Sequence, residues 1–275
     1  MIKLGSHISF KSPNYLVGSI EESLKNKANT AMIYLGAPQN TNRISTALYK
    51  YKEYKEKYSS LIKEEDIVVH APYVVNPSNP EKSEFAVQFL VEEIERMNYI
   101  NAKYLVLHPG AYTSYTPEIA LKTLVISLKQ ILDKTKNVII CIETMSGKGT
   151  EVGINFEQMR YILNEVNNER IQICLDTCHV WDAGYNIQNY EEFKQEINKW
   201  NLLKHIKVIH LNDSKNQLAS HKDRHENIGK GFIGLETLRK FVHDPDFDNI
   251  PIILETPVPS TGPIYDLEIQ ELLKS

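Results

Sequence analysis

Eight short apolar runs rich in β-branched residues recur along the chain, each followed by a stretch with helical patterning. They are KLGSHIS (3–9), TAMIYLG (30–36), IVVHAP (67–72), YLVLHPG (104–110), VIICIET (138–144), IQICLDT (171–177), IKVIHLND (206–213) and IPIILET (250–256). These runs are too hydrophobic for strands buried on one side only, and read as parallel strands covered on both faces. Their starts lie 27 to 44 residues apart, the spacing of a strand–helix unit. The intervening segments are amphipathic. In EKSEFAVQFLVEEIERM (81–97), Phe85, Phe89, Val91, Ile94 and Met97 make an apolar stripe, and PEIALKTLVISLKQIL (117–132) places proline at a first helical position. Eight such units without a linker predict a closed (β/α)8 TIM-type barrel in a single domain spanning 1–275. A doubly wound sheet would want fewer strands and a glycine-rich first turn, and GSHISFK is not one.

In such a barrel the reactive face lies at the C-terminal ends of the strands. Seven of the eight runs end in an imidazole or a carboxylate: His7, His70, His108, Glu143, Asp176, His210 and Glu255, whereas the second ends in Gly36. One strand-end histidine is as readily a hydrogen-bonded core residue as a functional one. Seven converging groups are different. Carboxylates crowded into a half-buried mouth repel one another unless cations compensate them, which points to bound metal. Past the sixth run, LDTCH (175–179) sets His179 three residues beyond Asp176, and HKDRH (221–225) sets Asp223 and His225 either side of one residue. An extended D-x-H segment turns both side chains the same way. With His179 it forms a three-ligand set, and the remaining groups suffice for two further ions if one carboxylate bridges. Mixed nitrogen and oxygen donors suit zinc or manganese, and paired metals are the usual apparatus of phosphoester hydrolysis.

Net charge is 31 − 35 = −4, which by itself argues against nucleic acid. Three divalent ions would reverse the sign at the mouth. The cations are 25 lysines and 6 arginines, a balance suited to diffuse attraction along a phosphate backbone rather than to reading bases. No apolar run approaches the roughly 18 residues that cross a bilayer, so no membrane association is expected. The opening MIKLGSHIS carries no signal-peptide pattern and three cysteines make no disulfide framework, so a cytoplasmic location is expected.

Over essentially its whole length the sequence resembles the endonuclease IV family of zinc-dependent apurinic/apyrimidinic endonucleases. The resemblance rests on GSHIS, GAPQNTNR (36–43), HAPYVVN (70–76), LHPGA (107–111), IETMSGKGTEVG (142–153), ICLDTCH (173–179), HLNDSK (210–215), HKDRHENIGKG (221–231) and LETP (254–257). It implies three zinc ions per chain, with manganese an alternative at one site. His70, His108 and a bridging Glu143 would hold the first, Glu143, Asp176, His210 and Glu255 the second, and His179, Asp223 and His225 the third. It implies cleavage of duplex DNA on the 5′ side of abasic sites, leaving a 3′-OH and a 5′-deoxyribose phosphate, and trimming of blocked 3′ ends. Glu143 would be the catalytic carboxylate, the nucleophile being water activated at the metals. Tyr73 and Val74 would wedge into the duplex where the base is missing, with Arg43 a second contact to the lesion, and His7 would support the ligands from behind. A monomer suffices for this chemistry. The sequence departs from the family pattern at Pro72, Val74, Pro77 and Ala219, none of them a ligand.

Two rivals belong beside this reading. A metal-dependent sugar isomerase on the same barrel would not need the third set, His179 with Asp223 and His225. A non-catalytic metal-holding or lesion-binding protein would be favoured by a missing ligand, and all nine are present. His205, His221 and His243 lie off the strand ends and read as surface or structural residues. Cys174 and Cys178 read as core, and Lys148 in GKGT lacks the rest of a phosphate-loop motif.

Overall fold

Every one of the eight runs forms a strand in the computed structural model, which describes residues 1–274. The strands are β1 (Lys3–His7), β2 (Thr30–Ile33), β3 (Ile67–His70), β4 (Tyr104–Leu107), β5 (Ile139–Glu143), β6 (Ile171–Asp176) and β7 (Ile206–His210). A two-residue pair follows, β8 (Asp213–Ser214) with β9 (His225–Glu226), and then β10 (Pro251–Leu254). Strands β1 to β7 lie in sequence order, and β10 closes the barrel between β7 and β1, all pairings being parallel. The expected TIM-type barrel is therefore what the chain forms.

The helices are α1 (Tyr15–Lys25), α2 (Tyr51–Lys57), α3 (Ser83–Tyr99), α4 (Pro117–Lys134), α5 (Phe156–Val166), α6 (Thr177–Asp182), α7 (Tyr190–Lys199), α8 (Leu235–His243) and α9 (Tyr265–Leu272). Their boundaries follow local chemistry. Pro117 opens α4 behind Thr116, whose hydroxyl accepts from the Ile119 amide, and Asn155 caps α5 by accepting from Gln158 N. The stripe expected on α3 needs one correction. Phe89, Ile94 and Met97 are buried with Ala86, Val87 and Leu90, but Phe85 is 57% exposed, one residue off the buried arc. No helix among the described residues is long and apolar enough to cross a membrane.

Because side chains alternate across a strand, each barrel strand serves two cores. Its outward residues pack under the helices, for example Ile67 and Val69 of β3 and Ile140 and Ile142 of β5. Its inward residues fill the barrel with a separate apolar layer of Met32, Val68, Val106, Cys141, Cys174, Val208 and Ile253. Two residues further along each of these seven strands the inward position belongs to Tyr34, His70, His108, Glu143, Asp176, His210 and Glu255. The pleat thus stacks a polar layer directly above an apolar floor.

Candidate metal centre

Glu143 lies at the middle of the polar layer. One oxygen, Oε2, is 3.1 Å from both His70 Nε2 and His108 Nε2; the other, Oε1, is 3.1 Å from His210 Nδ1 and 3.3 Å from His179 Nδ1. His210 Nδ1 also lies 3.0 Å from Glu255 Oε2. The donor atoms of His70, His108 and Glu143 fall within 4.8 Å of one another, as do those of Glu143, Asp176, His210 and Glu255. These are the groupings expected for the first two ions, and Glu143 belongs to both.

The residues expected to hold a third ion meet through Asp223, whose Oδ1 is 3.0 Å from His179 Nε2 and 3.5 Å from His225 Nε2. The compact triads in this corner divide them differently: Asp176 with His179 and His225, and Cys178 with Asp223 and His225. The sequence reads Cys178 as core alone. It is buried and its thiol is held up at high pKa by that burial and by Asp176, yet its sulfur belongs to a set of candidate donors.

The donor chemistry fits bound cations. His70 Nδ1 donates to the Ala71 carbonyl at 2.7 Å and His179 Nδ1 to the Thr144 carbonyl at 2.8 Å. Each ring therefore turns its Nε2 towards a carboxylate oxygen, and two lone pairs at 3.1 or 3.0 Å require a proton or a metal ion between them. His225 Nδ1 is likewise engaged by the Glu255 carbonyl at 3.2 Å, which leaves its buried Nε2 without a hydrogen bond but 3.5 Å from Asp223 Oδ1 and 3.7 Å from Asp176 Oδ2. In the absence of metal, a proton fills this role at His179. Burial opposes charge on His108, His179 and His210, but facing carboxylates raise His108 and His179, and Cys174 together with Glu255 and Glu143 raises His210. Burial also works against charge on Glu143, Glu255 and Asp223, and their imidazole neighbours overcome it; Asp223 falls to about 2. Asp176 goes the other way, raised by its burial.

Several supports escape the sequence reading because they are neutral or sit off the strand ends. Asn212 donates to Asp176 Oδ2 at 2.9 Å and accepts from the Glu255 amide at 2.8 Å, fixing two expected ligands at once. Thr144 Oγ1 accepts from Asp176 N. Asp182 accepts from the amides of Lys222 and Asp223 and from Ser214 Oγ, holding the loop that presents Asp223 and His225. That loop is strained, with positive φ at Ala219 (62°), His221 (53°) and Asp223 (55°). Asp213 accepts backbone amides from Ser214, Gly229, Gly231, Ile233 and Gly234, which binds the following loop to β8, just past the end of β7. For Asn212 and Asp213 the legible signal is the polar run HLNDSK, in which strand-end logic singles out the histidine alone.

His7 lies beside the ligands, its charge disfavoured chiefly by burial, and packs edge-on against Tyr34 at 5.1 Å. Tyr73 and Val74 project from the turn after β3, 54% and 44% exposed, while Val75 anchors that turn in the core. Arg43 is a correction. Its guanidinium clamps Glu93 of α3 through Nε and Nη2 at 2.9 to 3.0 Å, lies over the Phe89 ring and leaves the side chain 2% exposed, so it is spent on holding its own loop and does not reach out to a lesion. Gly36 leaves room for this clamp, because a Cβ there would sit 2.5 Å from Arg43 Nη1. His205, His221 and His243 are structural as expected, bonded to Gln172, the Ser146 carbonyl and the Leu272 carbonyl. Beside the polar layer a cleft of about 510 Å³ opens between the loops after β1 and β2.

The family model described as "Xylose isomerase-like TIM barrel" matches residues 24–274. Among curated proteins, the "Probable endonuclease 4" of Mycoplasmopsis synoviae (strain 53) is 68% identical over 273 residues, covering 99% of each chain. Among solved structures, endonuclease IV from Thermus thermophilus superposes with a TM-score of 0.84 at 27% identity, over 98% of each chain. A D-tagatose 3-epimerase-like protein shares the fold alone, with a TM-score of 0.73 at 21% identity over 99% of this chain and 96% of its own. The chain thus belongs to the endonuclease 4 family within the xylose isomerase-like TIM barrels.

Proposed function

We propose that this chain, a nuclease by family, hydrolyses the phosphodiester 5′ to abasic sites in duplex DNA, leaving a 3′-OH and a 5′-deoxyribose phosphate, and trims blocked 3′ ends. The observation that carries the reading is Glu143, fully buried yet facing four imidazoles through its two oxygens. His70, His108 and Glu143 would hold one ion, Glu143, Asp176, His210 and Glu255 a second, and His179, Asp223 and His225 a third, with zinc the metal best matched to the donors and manganese an alternative at one site. When bound, such ions activate water and neutralise charge on the phosphate and the departing 3′ oxygen.

The chain's own residues do the rest. Glu143 ties the first two sets into one rigid unit. Ala71, Thr144 and Glu255 carbonyls fix the rings of His70, His179 and His225 with their free nitrogens inward. Asn212 keeps Asp176 and Glu255 in register. No serine, cysteine or lysine nucleophile is required: Cys141 and Cys174 lie in the apolar floor beneath the site. Tyr73 and Val74, exposed on the turn after β3, would fill the gap left by a missing base, where unstacking costs least. The test is incubation of purified protein, with its as-isolated metals, with a duplex carrying one abasic analogue beside an undamaged control. A single nick 5′ to the lesion ending in 3′-OH is expected. Metal-loaded protein that leaves the duplex intact but interconverts sugars would replace this reading with the isomerase one.

A further inference from the structure

Tyr34 occupies the polar layer on β2's extension, two residues past Met32, as His70 does past Val68 and Glu143 past Cys141. It is the one member of that layer with no expected role, because the second run, followed to Gly36, ends without an ionisable group. Its ring stacks on His70 at 4.8 Å with planes 29° apart, and His7 closes on it edge-first at 5.1 Å and 84°. The orientation of Tyr34 is therefore fixed from both sides. Its hydroxyl makes no hydrogen bond among the described residues, although it lies within electrostatic reach of Glu255, Glu143 and His210 and on the wall of the cleft beside them. A donor held in place at the cleft wall, with its ring fixed and no protein partner, is preorganised for an acceptor that enters the cleft. The neighbouring carboxylates are committed to the imidazoles and to the cations they would share, so the hydroxyl faces the cleft and is free to exchange water for an acceptor on the substrate. An anionic phosphate oxygen answers that description, since it is drawn to the same cations and sits where the cleft meets them.

We propose that the Tyr34 hydroxyl donates a hydrogen bond to a non-bridging oxygen of the phosphate undergoing hydrolysis, its proton remaining on Tyr34. The proposal rests on the nuclease reading. A fixed donor aimed at an oxygen on which charge builds favours the transition state over the ground state. Tyr34→Phe keeps the ring, and with it the packing on His70 and His7, and removes only the hydroxyl. Turnover on the abasic duplex should fall roughly tenfold to a hundredfold, as for loss of a hydrogen bond to a charged group. Metal content by elemental analysis should match wild type. Inorganic phosphate should bind the metal-loaded variant about tenfold more weakly by calorimetry. Tyr34→Leu, which loses the stacking as well, should also lose metal. Wild-type turnover and phosphate affinity in Tyr34→Phe would overturn the proposal. So would metal loss already in Tyr34→Phe, because the hydroxyl would then serve the ligands and not the phosphate. Failure of wild-type protein to nick the duplex overturns the nuclease reading, and the phosphate titration separates that failure from failure of the Tyr34 assignment.

Discussion

Two layers of inward side chains, one step of the pleat apart on the same strands, have opposite characters. The lower layer, Met32, Val68, Val106, Cys141, Cys174, Val208 and Ile253, is wholly apolar and sealed. The upper layer, from Tyr34 to Glu255, is almost entirely ionisable and nearly as buried at Glu143, Asp176 and His210. The floor gains free energy by leaving water. The upper layer loses by the same burial, and recovers the loss only through ion pairing or bound cations. Backbone geometry is common to both, so a displacement of two residues along a strand separates what stabilises the barrel from what it does. The floor also makes the upper layer work, because it forms the water-excluding base on which the carboxylates and imidazoles must satisfy one another.

That contrast can be broken from either side. The largest effect belongs to the upper layer: Glu143→Gln should reduce nicking by roughly a thousandfold or more, the scale of several kcal/mol of lost charge stabilisation, with circular dichroism unchanged. Retained turnover would remove Glu143 from its central role. In the floor, Val106→Ala should cost about 2 kcal/mol of stability by denaturant titration, through a cavity, while turnover of the folded protein stays within about twofold. Tyr73→Ala lies outside both layers, and should weaken binding to abasic duplex about tenfold relative to undamaged duplex, as for loss of one stacking contact. Equal weakening on both would make Tyr73 a general surface contact.

pH gives a gentler contrast. His108, His179 and His210 are raised above 6.5 in the folded chain, so in metal-free protein they stabilise fully below pH 6.5 and less as pH rises through their folded values. Asp223, held at about 2 against 3.8, contributes above pH 3.8 and fades as pH falls towards 2. Metal-free protein should therefore have its highest Tm between about pH 4 and 6.5. Because metal displaces those protons, the Tm gain on adding zinc should grow as pH rises above that window. A gain independent of pH would contradict proton–metal exchange at these rings. The smallest effect is expected at Ala219, whose left-handed backbone suits glycine: Ala219→Gly should raise stability by about 0.5 kcal/mol, measured by thermal melting.

The barrel is legible in the sequence because both faces of every strand are buried, which compresses each into an unmistakable apolar run. The expected ligands are legible because they sit where those runs end. Tyr34 escapes on the same strands because the second run continues to Gly36, past the inward position two residues beyond Met32. Arg43 misleads because a cation in a polar loop looks free until Glu93, fifty residues away, is brought against it. Asn212 and Asp182 stay hidden because their work is hydrogen bonding to ligands and to loop amides, which leaves no periodic trace. What a side chain ends a strand with is local; what it is spent on is a tertiary fact.

The measurement that bears most directly on the account is metal content beside nicking, in wild-type protein and Glu143→Gln, on one abasic duplex. The account predicts about three zinc-class ions and a single 5′ nick for wild type, and fewer ions with no nick for the variant. Wild-type protein that nicks without bound metal, or a variant that keeps both its full metal and its activity, would contradict it.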